Sequence, residues 1–135
     1  MRRIALLAVG LLVAVACGSN ESPTVSSPPS AVPQATTSGS ASFTGSTVAF
    51  TLTQHDFSFT PSVIAASKGA SATITLRNDG TVLHNLTITI LHIDQDVQPG
   101  RSAVVKISSL GSVSPLGFYC KYHRSSGMIG VFNLK

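Results

Sequence analysis

Three stretches in the second half of the chain alternate between apolar and polar residues. The apolar positions are Val48, Phe50 and Leu52, then Ala72, Ile74 and Leu76, then Leu86, Ile88 and Ile90. Because successive side chains of a β-strand point to opposite faces, this period of two predicts half-buried strands. From residue 47 onward no stretch keeps a sustained helical period, so the sequence predicts an all-β domain over residues 47–135.

Glycine-containing turn sequences separate the alternating stretches. They are Lys68-Gly69, Asn78-Asp79-Gly80, Pro99-Gly100 and the region of Gly127. Short strands at this spacing predict a β-sandwich of seven or eight strands. A domain of about 90 residues buries only about 60 to 65% of its unfolded surface, so a bound metal would help to stabilise it.

Residues 1–16 have the pattern of an export signal, in which two arginines precede an apolar run over residues 4–13. The run is short for a membrane span. It ends in Ala14-Val15-Ala16-Cys17, which resembles a bacterial lipobox and implies cleavage before Cys17 and a lipid on its sulfur. A larger aliphatic residue is preferred where Ala14 stands, so cleavage elsewhere, or retention of the segment as a short anchor, is the alternative.

Residues 17–46 consist largely of Ser, Thr, Pro, Ala, Gly and Gln. Such a segment buries too little apolar surface to offset its conformational entropy, so the sequence predicts a disordered spacer behind the lipidated Cys17. An exported chain meets oxidising conditions, which raises the question of a disulfide between Cys17 and Cys120. We expect none, because Cys17 lies on the tail and the neighbours of Cys120 indicate another use.

The charge balance excludes one class of function. The chain carries nine Lys and Arg against five Asp and Glu, for a formal net charge of +4, and only 10% of its residues are charged. Two of the arginines belong to the export segment and would leave with it. No basic stripe remains in the rest of the chain, so nucleic-acid binding is not expected.

Four potential metal donors occur at related positions. Cys120, His123 and Met128 fall within nine residues, and His84 shares the inward face of the third alternating stretch. Alone, an inward His84 is more often a hydrogen-bonded core residue, and Met128 more often packs. Together, a thiolate, two imidazoles and a weak thioether suit copper, whereas zinc rarely recruits methionine. His55 and His92 lie in polar surroundings and are expected to be solvated.

The chain resembles the cupredoxins, or blue copper proteins, and its loop spacing is similar to that of plastocyanin and pseudoazurin. The resemblance rests on Phe57-Ser58-Phe59-Thr60-Pro61, on Asn78-Asp79-Gly80 leading to His84-Asn85-Leu86, and on Cys120-x-x-His123-x-x-x-x-Met128-x-Gly130. These features span essentially the whole predicted domain. They imply a Greek-key β-sandwich that holds one Cu(I)/Cu(II) ion.

The resemblance also implies a role for each site residue. His84, Cys120 and His123 would be the equatorial ligands and Met128 the axial ligand. Asn85 would tie the two ligand-bearing segments together and supply a backbone N–H to the thiolate, which raises the reduction potential. The ring edge of His123 would reach solvent and provide the path for electrons.

The function that this resemblance implies is one-electron transfer rather than catalysis, because four protein donors leave no open position for a substrate. Redox proteins of the cell envelope, such as a cytochrome, a copper oxidase or a reductase, would be the partners. The chain would be a monomer held by its lipid at the extracytoplasmic face of the membrane. The alternative is a lipoprotein that stores or delivers copper with the same ligands. An enzyme with Cys120 as nucleophile is disfavoured, because no oxyanion donors can be identified.

Overall fold

The computed structural model describes residues 38–135. Ten strands are present in them: β1 Ser40–Ser42, β2 Thr47–His55, β3 Ser58–Thr60, β4 Val63–Ala66, β5 Ser71–Asn78, β6 His84–Ile88, β7 Ile93–Val97, β8 Ser102–Ile107, β9 Leu116–Tyr119 and β10 Ile129–Leu134. Two short 3₁₀ turns cover Thr89–Leu91 and Arg124–Ser126. The predicted export segment, the predicted lipidation site Cys17 and the linker up to residue 37 lie outside the described residues. Within residues 38–135 there is no apolar helix of membrane-spanning length.

The strands form two sheets that face each other across one core. The larger sheet has the order β1-β4-β10-β9-β6-β7, and the smaller sheet has the order β3-β2-β5-β8. Parallel pairs (β2 with β5, β4 with β10) occur beside antiparallel ones, so the chain crosses repeatedly between the sheets. The predicted all-β sandwich is confirmed, with ten strands rather than the seven or eight expected.

The folded domain begins earlier than the sequence predicted. Strand β1, Ser40–Ser42, lies inside the predicted linker and pairs in parallel with Val63–Ala65 of β4. The backbone N–H of Phe43 donates to the carbonyl of Ala65 at 2.8 Å, and the ring of Phe43 stacks on that of Phe50. Backbone pairing creates this strand, so a Ser-Ala-Ser sequence without a hydrophobic period could not reveal it.

The three predicted alternating stretches become β2, β5 and β6, with one correction. Leu86 and Ile88 are fully buried as expected, but Ile90 is 58% exposed. Strand β6 ends at Ile88, and the chain turns through the 3₁₀ turn to His92, which has a left-handed backbone with φ of 53°. The turn rotates Ile90 out of the alternation that the sequence pattern continues.

Aromatic rings fill the centre of the core. Phe59, Phe118 and Phe132 are buried, and the Phe118 ring lies 5.2 Å from the Phe59 ring and 5.3 Å from the Phe132 ring, centroid to centroid. Gly130 of β10 is paired with Phe118, and a Cβ at this position would collide with the Phe118 ring. The glycine therefore allows the two strands and the ring to approach closely.

The fold brings two distant segments to one edge of the larger sheet. Strand β6 begins at His84, and the antiparallel neighbouring strand β9 ends at Tyr119, directly before Cys120. Because antiparallel strands run in opposite directions, the start of β6 and the end of β9 lie at the same edge. The loop from Cys120 to Met128 crosses that edge and returns into β10.

Candidate metal centre

Three of the predicted ligands lie together at this edge. His84, Cys120 and His123 each offer one ligand atom, and these atoms all lie within 4.8 Å of one another. The Cys120 Sγ atom is 3.4 Å from the His123 Nδ1 atom, and the two imidazole rings are 5.0 Å apart, centroid to centroid. His84 and Cys120 are buried and His123 is half-buried. Their role as ligands remains a prediction.

His84 is held in a fixed orientation with one nitrogen free. Its Nε2 atom lies 3.2 Å from Oδ1 of Asp56, whereas its Nδ1 atom is buried and has no hydrogen-bond partner among the described residues. A buried polar atom without a partner costs about 1–3 kcal/mol. A metal ion bound at Nδ1 would remove this cost, so the site fits a soft cation.

The protonation states suit metal binding. Burial lowers the pKa of His84, and the hydrogen bond to Asp56 opposes this only in part, so the ring is neutral near pH 7. A neutral imidazole is the form that binds a metal. The two hydrogen bonds that Thr81 donates to Asp56 lower the pKa of that carboxyl group, so Asp56 is negatively charged.

The tight loop that carries the other donors is closed by backbone hydrogen bonds. The N–H of Cys120 donates to the carbonyl of Met128 at 3.0 Å, and the N–H groups of His123 and Met128 donate to the carbonyls of Cys120 and His123, each at 3.2 Å. Gly127 closes the 3₁₀ turn with a φ of 87°. Met128 is fully buried, and its role as the axial ligand stays a prediction.

Asn85 connects the two ligand-bearing segments through its side chain. Its Oδ1 atom accepts the backbone N–H of Lys121 at 3.4 Å, and its Nδ2 atom donates to Asp94 and to Asp96 at 2.7 Å. The resemblance also implies that the backbone N–H of Asn85 donates to the Cys120 thiolate, and this bond stays a prediction. Among the described residues, Cys120 Sγ has one hydrogen-bond partner, which is His123 Nδ1.

Two aspartates of β7 also reach the ligand loop, and sequence reasoning missed them. The Lys121 ammonium lies 2.7 Å from Asp94 Oδ1 and 3.0 Å from Asp96 Oδ1, and the Tyr122 hydroxyl donates to Asp96 at 2.9 Å. The hydrogen bond from Lys121 is the largest cause of the lowered pKa of Asp94, and the two carboxylates raise the pKa of Lys121. We call Asn85, Asp94, Asp96, Lys121 and Tyr122 the loop clamp. The only sequence signal for it is the Asp94-x-Asp96 spacing, which puts both carboxylates on one strand face.

Two exposed aromatic rings lie beside the half-buried His123. The centroid of the Phe57 ring lies 5.0 Å from that of His123, and the Tyr122 centroid lies 6.4 Å away. Both side chains are 46% exposed. His55 and His92 are exposed and lie outside the donor cluster, as the sequence predicted for them.

A two-sheet sandwich with a His-Cys-His cluster between the start of one strand and the end of its neighbour defines a cupredoxin-type domain. The family model described as "Cupredoxin-like domain" matches residues 30–131. The chain therefore belongs to the cupredoxin-like family, as the resemblance predicted. No protein with a curated description matches the chain significantly.

Solved structures share the fold at low sequence identity. Auracyanin from Roseiflexus castenholzii is 15% identical, with a TM-score of 0.56 over 69% of this chain and 99% of its own. Auracyanin A, a "blue" copper protein from Chloroflexus aurantiacus, is 12% identical, with a TM-score of 0.54 over 66% and 99% of the two chains. The metal-binding domain of the Cu(I)-exporting P-type ATPase CopA of Streptococcus pneumoniae, solved with Cu(I), is 12% identical, with a TM-score of 0.58 over 73% and 97%.

Proposed function

We propose that this chain is a mononuclear blue copper protein that carries single electrons between redox partners outside the cytoplasm. The observation that carries the proposal is the cluster of His84, Cys120 and His123, whose ligand atoms lie within 4.8 Å of one another, together with the buried, unpartnered Nδ1 atom of His84. Two nitrogens and a sulfur form the trigonal donor set that copper favours, and Met128 would complete it as a weak axial donor.

The surroundings of the donors suit electron transfer better than catalysis. Bound copper would supply a one-electron couple between Cu(I) and Cu(II). The loop clamp and the closed ligand loop hold the donors in place, so that one geometry serves both oxidation states. The half-buried His123, with the exposed rings of Phe57 and Tyr122 beside it, gives a partner protein a contact close to the donors. We therefore infer an electron carrier and not an enzyme.

The proposed location follows from the sequence of residues 1–17. An export signal followed by a lipidated Cys17 would hold the chain at the extracytoplasmic face of a membrane, and the linker would let the domain reach its partners. Redox proteins of the envelope, such as a cytochrome, a copper oxidase or a reductase, are the proposed partners. The chain would act as a monomer.

Copper storage or delivery is the competing function. Thiolate and thioether donors also suit Cu(I), and the metal-binding domain of the Cu(I)-exporting ATPase shares the fold. The residues that the structure describes contain a single methionine, Met128, and no second cluster of three or more metal-binding side chains. A protein that passes copper on would be expected to offer more such donors.

A copper titration distinguishes the two functions. Cu(II) is added to the metal-free protein while visible absorption and electron paramagnetic resonance spectra are recorded. An intense blue thiolate-to-copper band with a narrow hyperfine splitting, followed by reversible bleaching on reduction, is expected for the electron carrier. A colourless protein that binds only Cu(I) would favour copper handling, and a protein that binds no copper would refute both functions.

A further inference from the structure

The carboxylate beside His84 comes from a different part of the fold. Asp56 lies in the turn between β2 and β3 of the smaller sheet, whereas His84 begins β6 of the larger sheet. Asp56 Oδ1 is 3.2 Å from His84 Nε2, and the other ring nitrogen, Nδ1, is buried without a hydrogen-bond partner among the described residues. The contact therefore joins the two sheets at the predicted metal centre.

Asp56 is itself fixed by a second loop. Its Oδ1 atom accepts the backbone N–H of Thr81, and its Oδ2 atom accepts the Thr81 hydroxyl, each at 2.8 Å. Gly80 lies directly over the pair, and a Cβ there would collide with Asp56 Oδ1 and His84 Nε2. The absence of a side chain at residue 80 thus leaves room for the carboxylate and the ring to meet.

The acceptor on a ligand histidine fixes which ring nitrogen carries the proton. A carboxylate at Nε2 favours the tautomer with the proton on Nε2 and the lone pair on the buried, unpartnered Nδ1. A neutral carbonyl would fix the same tautomer. The negative charge of Asp56 adds a second effect, because a nearby anion stabilises Cu(II) more than Cu(I).

We propose that Asp56 is a positioning residue that orients His84 for metal binding and lowers the reduction potential of the centre through its charge. The second part rests on the proposed function, because it requires bound copper. The first part concerns the metal-free chain and can be tested alone.

The charge effect is tested in the copper-loaded full chain, purified in detergent, by redox titration of the blue band. Asp56→Asn keeps an acceptor oxygen and removes the charge. We expect at least a tenfold shift of the Cu(II):Cu(I) ratio toward Cu(I) at a fixed potential, a rise of about 59 mV for a one-electron couple. An unchanged potential in a variant that is still blue would overturn this part of the proposal.

Asp79→Asn is the matched control. The Asp79 side chain is as exposed as that of Asp56, at 36% against 35%, and it pairs with Arg77 rather than with His84. Removing this charge should shift the ratio less than threefold. An equal shift in both variants would overturn the proposal, because it would show a general charge effect and not one through His84.

The orientation is tested without copper. Nitrogen–proton correlation spectra of the metal-free chain distinguish the two tautomers of each histidine ring. We expect the Nε2–H tautomer for His84 in the wild type, and a mixture of tautomers in Asp56→Ala. A wild-type His84 with its proton on Nδ1 would refute the positioning role. This result is obtained whether or not the chain proves to bind copper, so failure of the inference and failure of the proposed function are distinguishable.

Discussion

Gly130→Ala tests how tightly the core behind the metal centre is packed. The new methyl group would collide with the Phe118 ring and with the backbone carbonyl of Ser62. Phe118 is 1% exposed and lies between Phe59 and Phe132, so its ring cannot move without displacing a neighbour. The backbone of residue 130 is not left-handed, so any destabilisation comes from crowding and not from strain in φ.

The magnitude follows from two opposing effects. Overpacking a well-packed core costs typically about 1–3 kcal/mol. Replacing a strand glycine by alanine recovers roughly 0.5–1 kcal/mol, because the unfolded chain loses freedom. Because the methyl group would collide with a confined ring and with a backbone atom, the overpacking cost should lie in the upper part of its range, which leaves a net destabilisation of about 1–2 kcal/mol. For a domain of this size each kcal/mol lowers the Tm by roughly 4–8 °C, so the expected fall is roughly 5–15 °C.

Gly117→Ala is the control for the same chemical change. Gly117 lies in β9 next to Phe118 and is paired with Val131, yet a Cβ there would meet no atom within 4 Å. The Tm of the Gly117→Ala variant should stay the same or rise slightly. Both variants are melted in the metal-free state by circular dichroism, because a bound metal would add stability of its own. Equal melting temperatures for wild type and Gly130→Ala, or equal falls in both variants, would refute the packing argument.

Three further predictions concern the metal centre and the loop clamp. Cys120→Ser should abolish the blue colour while the β-sheet circular dichroism spectrum persists; retained colour would remove the thiolate from the centre. Met128→Gln should keep copper but lower the reduction potential, because a harder axial donor favours Cu(II), and an unchanged potential would argue against an axial Met128. The hydrogen bonds from Lys121 and Asn85 hold the pKa of Asp94 in the folded protein below its ordinary value of 3.8. The free energy of unfolding that ionised Asp94 contributes is therefore fully present above pH 3.8 and is lost as the pH falls through the lower pKa of the folded state. Urea midpoints of wild type and Asp94→Asn should therefore differ at pH 6 and converge toward pH 2; a constant difference would contradict this linkage.

Several strands and the clustering of His84, Cys120 and His123 could be predicted because their signals are local. Alternation in single segments identified β2, β5 and most of β6, since the period of a strand is visible without knowing its partners. Cys120 and His123 lie in one short loop with Met128, so their combination indicated a shared site, in which the place of Met128 stays a prediction. His84 could be added to this set because it lies on the inward face of a single predicted strand.

Features that depend on pairing between distant segments could not be predicted. Strand β1 exists through backbone bonds to β4, and its Ser-Ala-Ser sequence has no pattern of its own. Asp56 and His84 are in contact although they are 28 residues apart in the sequence, and Asp94 and Lys121 are 27 residues apart. Carboxylates are common on surfaces, so nothing in the sequence distinguishes Asp56 from a solvated residue, and the spacing of Asp94 and Asp96 indicates a shared strand face but not its partners. Their partners appear only when the sheets are assembled.

The turn between β2 and β3 connects both histidines of the predicted centre. Asp56 bonds to His84, and the next residue, Phe57, places its ring against His123. Phe57 has a left-handed backbone with φ of 69°, which costs a non-glycine residue roughly 1–2 kcal/mol. Such a conformation persists only where surrounding contacts determine it, and strained residues concentrate at functional sites. With this backbone conformation, the adjacent side chains of Asp56 and Phe57 in the turn contact different histidines. The Asp56 carboxylate contacts the buried His84, where we propose that it lowers the reduction potential. The Phe57 ring lies beside the half-buried His123, where we propose that a partner docks. In the proposed carrier, the potential and the docking contact could therefore be changed independently by single substitutions at neighbouring positions.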